Sequence, residues 1–214
     1  MDLSIVYEDD FLIVVEKPAG IPSIDQNSLE EWLQKFYPSA QLVHRLDNDT
    51  SGLIVAAKTE DTFNKLRAIW KTPQVIKKYT ALVLGKTPLS GEITTPIAHH
   101  PRKKKKMSLG GEKARPAHTT FKTLKHFKNY SLIEVQITTG VRHQIRMHMT
   151  SIGYPIAGDK LYQKQKHKAQ DQLDLNRYFL HLSFFQLPHP VHEKIMEWKS
   201  ELPKELCEIL KKLI

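Results

Sequence analysis

Residues 117–138 read AHTTFKTLKHFKNYSLIEVQIT, and they decide the class of fold. Two runs rich in Thr, Phe, Ile and Val, 117–124 and 130–138, flank Lys128-Asn129, the pattern of an antiparallel hairpin. The pattern recurs at the start, where 3–7 and 11–17 predict two short strands around Asp9-Asp10, closed by the Pro18-Ala19-Gly20 break. Further strands are predicted over 52–58, 75–84 and 177–187, and 91–97 is expected to pair with 75–84. Ser28 and Glu31 form a capping box, after which Leu29, Trp32, Leu33, Phe36 and Tyr37 recur at helical spacing until Pro38. Helices are also predicted over 61–71, 141–152 and from Pro203 through Leu206, Ile209, Leu210 and Leu213. Residues 153–159 are turn-rich, and 163–176 carry no clear pattern. Strands in consecutive pairs with helices scattered among them argue for an α+β fold with a mainly antiparallel sheet, not regular βαβ winding.

A chain of 214 residues suits a single domain, without internal repeats or a linker-bounded second unit. Hydrophobic residues make up 40% and charged residues 26%, enough apolar matter for a real core. The longest apolar runs, 11–15 and 53–57, are far short of the roughly 20 residues that span a bilayer. The opening MDLSIVYEDD has neither the basic start nor the apolar segment of a secretory signal, so a cytoplasmic protein is expected. The lone Cys207 forms no internal disulfide and no cysteine-based zinc site.

The net charge is +9, and residues 99–115 supply +6 of it through Arg102, Lys103, Lys104, Lys105, Lys106, Lys113 and Arg115 against Glu112. Such a run stays solvated, either as a mobile surface loop or as a contact for nucleic-acid phosphates with salt-dependent binding. No lipidation motif or basic amphipathic helix lies beside it to favour a membrane surface.

Three clusters carry chemistry. The first, His44-Arg45-Leu46-Asp47-Asn48-Asp49-Thr50-Ser51-Gly52, concentrates polar groups directly before an apolar strand, where functional loops tend to lie. Its Asp47, Asp49, Ser51 and Gly52 imitate the start of a calcium loop, but Lys58 stands where the bidentate Glu belongs. On their own, both Asp residues also read as ordinary turn formers. The second cluster runs from Thr139 to His148, and on a helix its Arg142 and Arg146 share a face suited to an anion or carboxylate. His143 and His148 are wrongly spaced for zinc and are left to RNA contacts or structural hydrogen bonds. In the third, Lys77-Lys78-Tyr79, the ring is either a base-stacking platform or a half-buried strand residue. The GxxxxGK[ST], GxGxxG and GxSxG patterns are lacking, which removes the usual sequence warrant for a P-loop, dinucleotide or α/β-hydrolase enzyme.

Read together, these segments resemble the RluA-type pseudouridine synthases. HRLDNDTSGL, at 44–53, is similar to that family's HRLDxxTSGL signature, KKYTALVLG to its second motif and TGVRHQIRMHMTSIGYPIAGDKLY to its third. YEDDFLIVVEKPAGI and HLSFFQLPHP are also similar, with Glu16 where Asn is common, so the likeness runs from about residue 5 to about residue 190. The resemblance implies isomerisation of uridine to pseudouridine in ribosomal or transfer RNA, on a central mixed, mainly antiparallel sheet flanked by helices and loops, without a cofactor. It makes Asp47 the catalytic residue, Arg45 a holder of RNA, Tyr79 the ring that stacks on uracil and Arg142 the partner of the Asp. The base must be flipped out of its stack to be reached. Asp47 attacks C1′ or uracil C6, or takes a proton from C2′, and the sequence leaves these open. The first family strand starts near residue 5, leaving no room for an S4-like domain ahead of it, so RNA affinity is expected from Arg102, Lys103, Lys104, Lys105 and Lys106. No metal, membrane or obligate protein partner is expected, and a monomer is. The rival reading is a non-catalytic RNA-binding or ribosome-assembly protein on the same fold.

Overall fold

The computed structural model describes residues 4–70 and 72–213. In chain order the elements are β1 (Ser4–Glu8), β2 (Leu12–Lys17), α1 (Leu29–Gln34), β3 (Gln41–Leu42), β4 (Ser51–Ala57), α2 (Glu60–Ile69), β5 (Ile76–Leu84), β6 (Ser90–Ile93), β7 (Ile97–His99), β8 (Met107–Leu109), β9 (Thr119–His126), β10 (Tyr130–Ile137), α3 (Gln144–Ser151), α4 (Gln165–Gln170), β11 (Leu180–Pro188), β12 (Ile195–Lys199) and α5 (Lys204–Lys211). The chain divides into two compact units, one of residues 1–77 with 181–201 and the other of 78–180 with 202–214.

In the first unit the strand order is β1-β2-β4-β11, with β3 also on β4 and β12 on β11. The β4–β11 pair is parallel, while β1–β2, β2–β4, β3–β4 and β11–β12 are antiparallel, so this sheet is mixed but mainly antiparallel. All seven residues of β4 are buried, the condition that an uninterrupted apolar strand requires. The opening hairpin is fixed by Asp9, whose carboxylate accepts from the backbone N–H groups of Phe11 and Leu12. Ser28 caps α1 by accepting from Glu31 N, while the Glu31 carboxylate reaches back to Asn27 N. The helix then stops at Gln34, so Phe36 is 63% exposed and only the first part of the apolar repeat is used. Helix α2 has Thr59 as its cap and Glu60 and Asp61 in its first turn, where carboxylates oppose the positive helix end. Lys71, at the end of the expected helix, and Leu3, at the start of the expected first strand, lie outside the described residues.

In the second unit the order is β5-β10-β9-β6, and β7–β8 form a separate two-stranded sheet. The 117–138 stretch folds as expected, with β9 and β10 antiparallel from Ile137↔Thr119 to Ser131↔His126. The pairing expected for 91–97 does not form: β10 lies beside β5, and β6 pairs with β9 instead. Gly91 permits this, because a Cβ there would meet the Phe121 ring. Helix α4 lies in the stretch without pattern, and α5 buries Leu206 and Ile209 behind Pro203. Among the described residues no helix is long and apolar enough to cross a membrane.

Candidate active-site residues and RNA-binding hairpin

Asp47 sits half-buried in the connection between β3 and β4, and its neighbours are tied down one after another. Leu46 is held through both backbone groups: its N–H donates to Ser23 Oγ at 3.0 Å, and its carbonyl accepts from that hydroxyl at 2.8 Å. The Asn48 carbonyl accepts from Lys17 Nζ at 2.9 Å and Gly20 N at 2.8 Å. Lys17 is 1% exposed, and its ammonium also donates to the carbonyls of Pro18 and Ile21, so a buried charge is matched by three dipoles. Thr50 N closes a turn on the Asp47 carbonyl at 3.0 Å. Ser51 Oγ lies 2.9 Å from His181 Nδ1.

Gly52 completes the frame. Its φ is +122°, and an added Cβ would collide with the Leu182 backbone across the β4–β11 pair. The motif glycine is thus required by a close approach of two strands.

Arg45 and Asp49 are exposed beside Asp47. His44 has a different fate. Its ring is stacked with Trp70 and Phe185 at 5.0 and 5.2 Å, and its Nε2 accepts from Val55 N. Burial, with the nearby Lys77 charge, pushes its pKa down to about 3, so the imidazole is neutral and structural. Lys77, 5.3 Å from the Trp70 ring, is itself lowered by burial to about 8.

In the second unit Tyr79 lies on β5 and is 6% exposed, more buried than a half-exposed strand residue. Arg142 is exposed, but not on a helix: α3 begins only at Gln144. His143 adopts a left-handed φ of +55°, and Gln144 Oε1 accepts from Val141 N and Thr139 Oγ1 while its amide nitrogen donates to His118 O and Thr119 Oγ1. That side chain spends its hydrogen bonds on closing the preceding loop, which keeps Arg142 in a turn. The expected shared face of Arg142 and Arg146 therefore does not exist. Arg146 is buried in a two-pronged ion pair with Asp159, at 2.7 and 2.9 Å, with Tyr178 and Tyr162 rings at 4.1 and 5.1 Å.

The two histidines of this segment are structural. His148 bonds Thr119 Oγ1 and the Thr95 carbonyl. His143 Nδ1 lies 2.7 Å from the Tyr162 hydroxyl, which also accepts from Met107 N. Burial, then the charges of Arg146 and Arg142, push His143 down to about 3, so it pairs with the tyrosine as a neutral ring.

Residues 99–115 are more ordered than a mobile loop. Strands β7 and β8 pair from Ile97↔Leu109 to His99↔Met107, and the tip is closed by Lys106 N on the Lys103 carbonyl and His100 N on the Lys106 carbonyl. His100 Nδ1 accepts from Arg102 N and Lys103 N, fixing the start of the tip. Ile97 and Met107 root the hairpin in a buried cluster with Ala117 and Val141. Arg102, Lys103, Lys104 and Lys105 are exposed, and Lys106 is half-buried with its ammonium 5.9 Å from the Tyr162 ring.

The structure thus groups Arg45 with Asp47, gathers five expected cations on one hairpin, and places Tyr79 and Arg142 on separate elements of the second unit. Lys17, Ser23 and His181, which hold the Asp47 turn, escaped sequence reasoning. Lys17-Pro18 carried a local signal as a cation beside a strand-ending break, and His181 opens the HLSFFQLPHP stretch without its contact to Ser51 being readable from it. Among the described residues no group of three or more His, Cys, Asp or Glu is placed to hold a metal ion.

Residues 11–151 match the family model described as RNA pseudouridylate synthase. The chain is 35% identical to ribosomal large subunit pseudouridine synthase D of Buchnera aphidicola subsp. Acyrthosiphon pisum, over 99% of this chain and 73% of that protein. It is 34% identical to the protein of the same name from Pseudomonas aeruginosa, over 98% of this chain and 71% of the relative. Human RNA Pseudouridylate Synthase Domain Containing 1 shares the fold at a TM-score of 0.80 and 23% identity, over 99% of this chain and 94% of that one.

Proposed function

The chain belongs to the RNA pseudouridylate synthase family, and from that premise we propose that it isomerises uridine in structured ribosomal RNA with Asp47 as the catalytic group. It is an RNA pseudouridine synthase, an isomerase. The reaction moves uracil from an N1 to a C5 linkage on the same ribose, so atoms and oxidation state balance without a second substrate. What the protein must supply is a carboxylate held in one place beside a flipped base. The observation that carries the reading is the bracketed Asp47 turn, a half-buried carboxylate between backbone groups fixed by Ser23, Lys17 and Gly20.

Arg45, exposed two residues from Asp47, suits a phosphate of the extruded nucleotide. Tyr79 serves as the stacking ring and Arg142 as the cation for the carboxylate, by their positions in motifs that match the family. Arg102, Lys103, Lys104, Lys105 and Lys106 grip the RNA backbone. We infer that the two compact units act as one catalytic domain, a monomer in the cytoplasm that needs neither cofactor nor protein partner. The names of the relatives favour large-subunit ribosomal RNA over transfer RNA. Tritium release from RNA labelled at uracil C5 tests this, with unmodified ribosomal and transfer RNA offered separately. Release from ribosomal RNA alone is expected; release from transfer RNA alone would move the substrate, and release from neither, despite binding, would favour a non-catalytic RNA-binding protein.

A further inference from the structure

A buried chain of side chains in the first unit ends on the residue that follows the Asp47 turn. Glu16 Oε1 lies 2.6 Å from Ser200 Oγ, Ser200 Oγ lies 3.0 Å from His181 Nε2, and His181 Nδ1 lies 2.9 Å from Ser51 Oγ. Ser51 and His181 are each 2% exposed and Ser200 6%, so the bonds among these three are shielded from water, while Glu16 at the end is half-buried. The members come from β2, the start of β4, β11 and the residue after β12, so the chain ties together three distant parts of the sequence.

The carboxylate at one end gives this chain a preferred proton direction. A hydroxyl 2.6 Å from a carboxylate must donate to it, since without the proton two oxygens with lone pairs would repel. The other acceptor near Ser200 Oγ is the Glu201 carbonyl at 3.5 Å, too long to compete. Ser200 Oγ is then an acceptor toward His181, so His181 carries its proton on Nε2. In the neutral ring Nδ1 is then the acceptor, and Ser51 Oγ–H donates to it. The chain runs one way, Ser51 to His181 to Ser200 to Glu16, and the carboxylate at its end polarises each bond before it.

We propose that Glu16, Ser200 and His181 are positioning residues for the reaction, acting through Ser51 to hold the Asp47 turn in its productive orientation. This rests on Asp47 being the catalytic carboxylate. The turn's first half is held by Ser23 and its middle by Lys17 and Gly20, and Ser51 is its exit into β4. A rotation of the Ser51 backbone would swing the Asp47–Thr50 turn, and a displacement of about 1 Å at a reacting group can cost roughly 100-fold in rate. Glu16 places a carboxylate at the end of the relay.

The test compares Ser200→Ala, Ser200→Thr and Glu16→Gln with the wild type in single-turnover tritium release at saturating RNA, alongside RNA dissociation constants. Ser200→Ala is expected to slow the chemical step about 10- to 100-fold with the dissociation constant unchanged, Ser200→Thr to restore most of the rate, and Glu16→Gln to fall between. A merely structural serine would change thermal stability and leave the rate of the folded enzyme alone, and that result overturns the proposal. Nitrogen-15 spectra of the histidines in the intact wild type give a second readout that needs no variant. They should show His181 protonated on Nε2, and protonation on Nδ1 would equally overturn it. A wild type that releases no tritium from any RNA would refute the enzymatic reading itself, whereas normal wild-type turnover with unaffected variants refutes only the relay.

Discussion

The Asp47 turn and the basic hairpin at 99–115 are both short connections between strands, but they are built in opposite ways. Around Asp47, positions 46, 48 and 51 are each bonded to a buried side chain from another segment, and position 52 admits no side chain at all. The hairpin is rooted by Ile97 and Met107 and shaped by its own backbone, while the cations at 102–105 stay exposed. Under the function proposed above, the difference follows from the work each does. A carboxylate that meets one atom of a flipped nucleotide needs its backbone fixed. Cations that displace condensed counterions from a phosphate backbone need only to be near it, and flexible solvated side chains suffice.

The contrast predicts that damage to the frame of the turn is felt as lost stability or a slower chemical step, and damage to the hairpin tip as salt-dependent binding. Gly52→Ala is the most severe break, since its Cβ would drive into the Leu182 backbone at a positive φ. A loss of about 4 kcal/mol or more is expected in denaturant unfolding. Arg146→Leu strips the buried Asp159 of its ion pair beside the hairpin's Tyr162 support, and about 3–5 kcal/mol should be lost by the same measurement. Ser23→Ala orphans both backbone groups of Leu46 and should cost about 1–3 kcal/mol. Replacing Lys103, Lys104, Lys105 and Lys106 together by Gln should change stability least. Filter binding across a salt series should show the slope of log K against log salt flattening by about 3 to 4, one released counterion per lost phosphate contact. An unchanged slope would remove the hairpin from the RNA interface.

The strand pairs were legible because alternating apolar residues and turn dipeptides are local signals, and 117–138 folded as its pattern predicts. Errors arose where a distant group decided the outcome. The expected helix over 141–152 ignored Gln144, whose bonds to His118 and Thr119 close the loop and set His143 left-handed, so Arg142 leaves the helix. The partner of residues 90–93 was misjudged because β10 occupies the side of β5, a matter of topology and not propensity. Strand β12 was missed because Ile195–Lys199 is only five residues long, its Met196-Glu197-Trp198-Lys199 alternation too short to read alone, and it gains its order by pairing with β11. Asp47 was visible through its dense motif. Ser23, His181 and Ser200 were not, because a hydroxyl or imidazole binding a segment 23, 130 or 184 residues away leaves no spacing to read.

The most direct test of the account is the Asp47→Asn variant, which keeps the side-chain shape and removes the ionisable carboxylate. Tritium release from C5-labelled ribosomal RNA should drop below detection while thermal unfolding and RNA affinity stay at wild-type values. Retained release by a correctly folded Asp47→Asn protein would contradict the assignment of Asp47 as the catalytic group, and with it the reason given for the rigid turn.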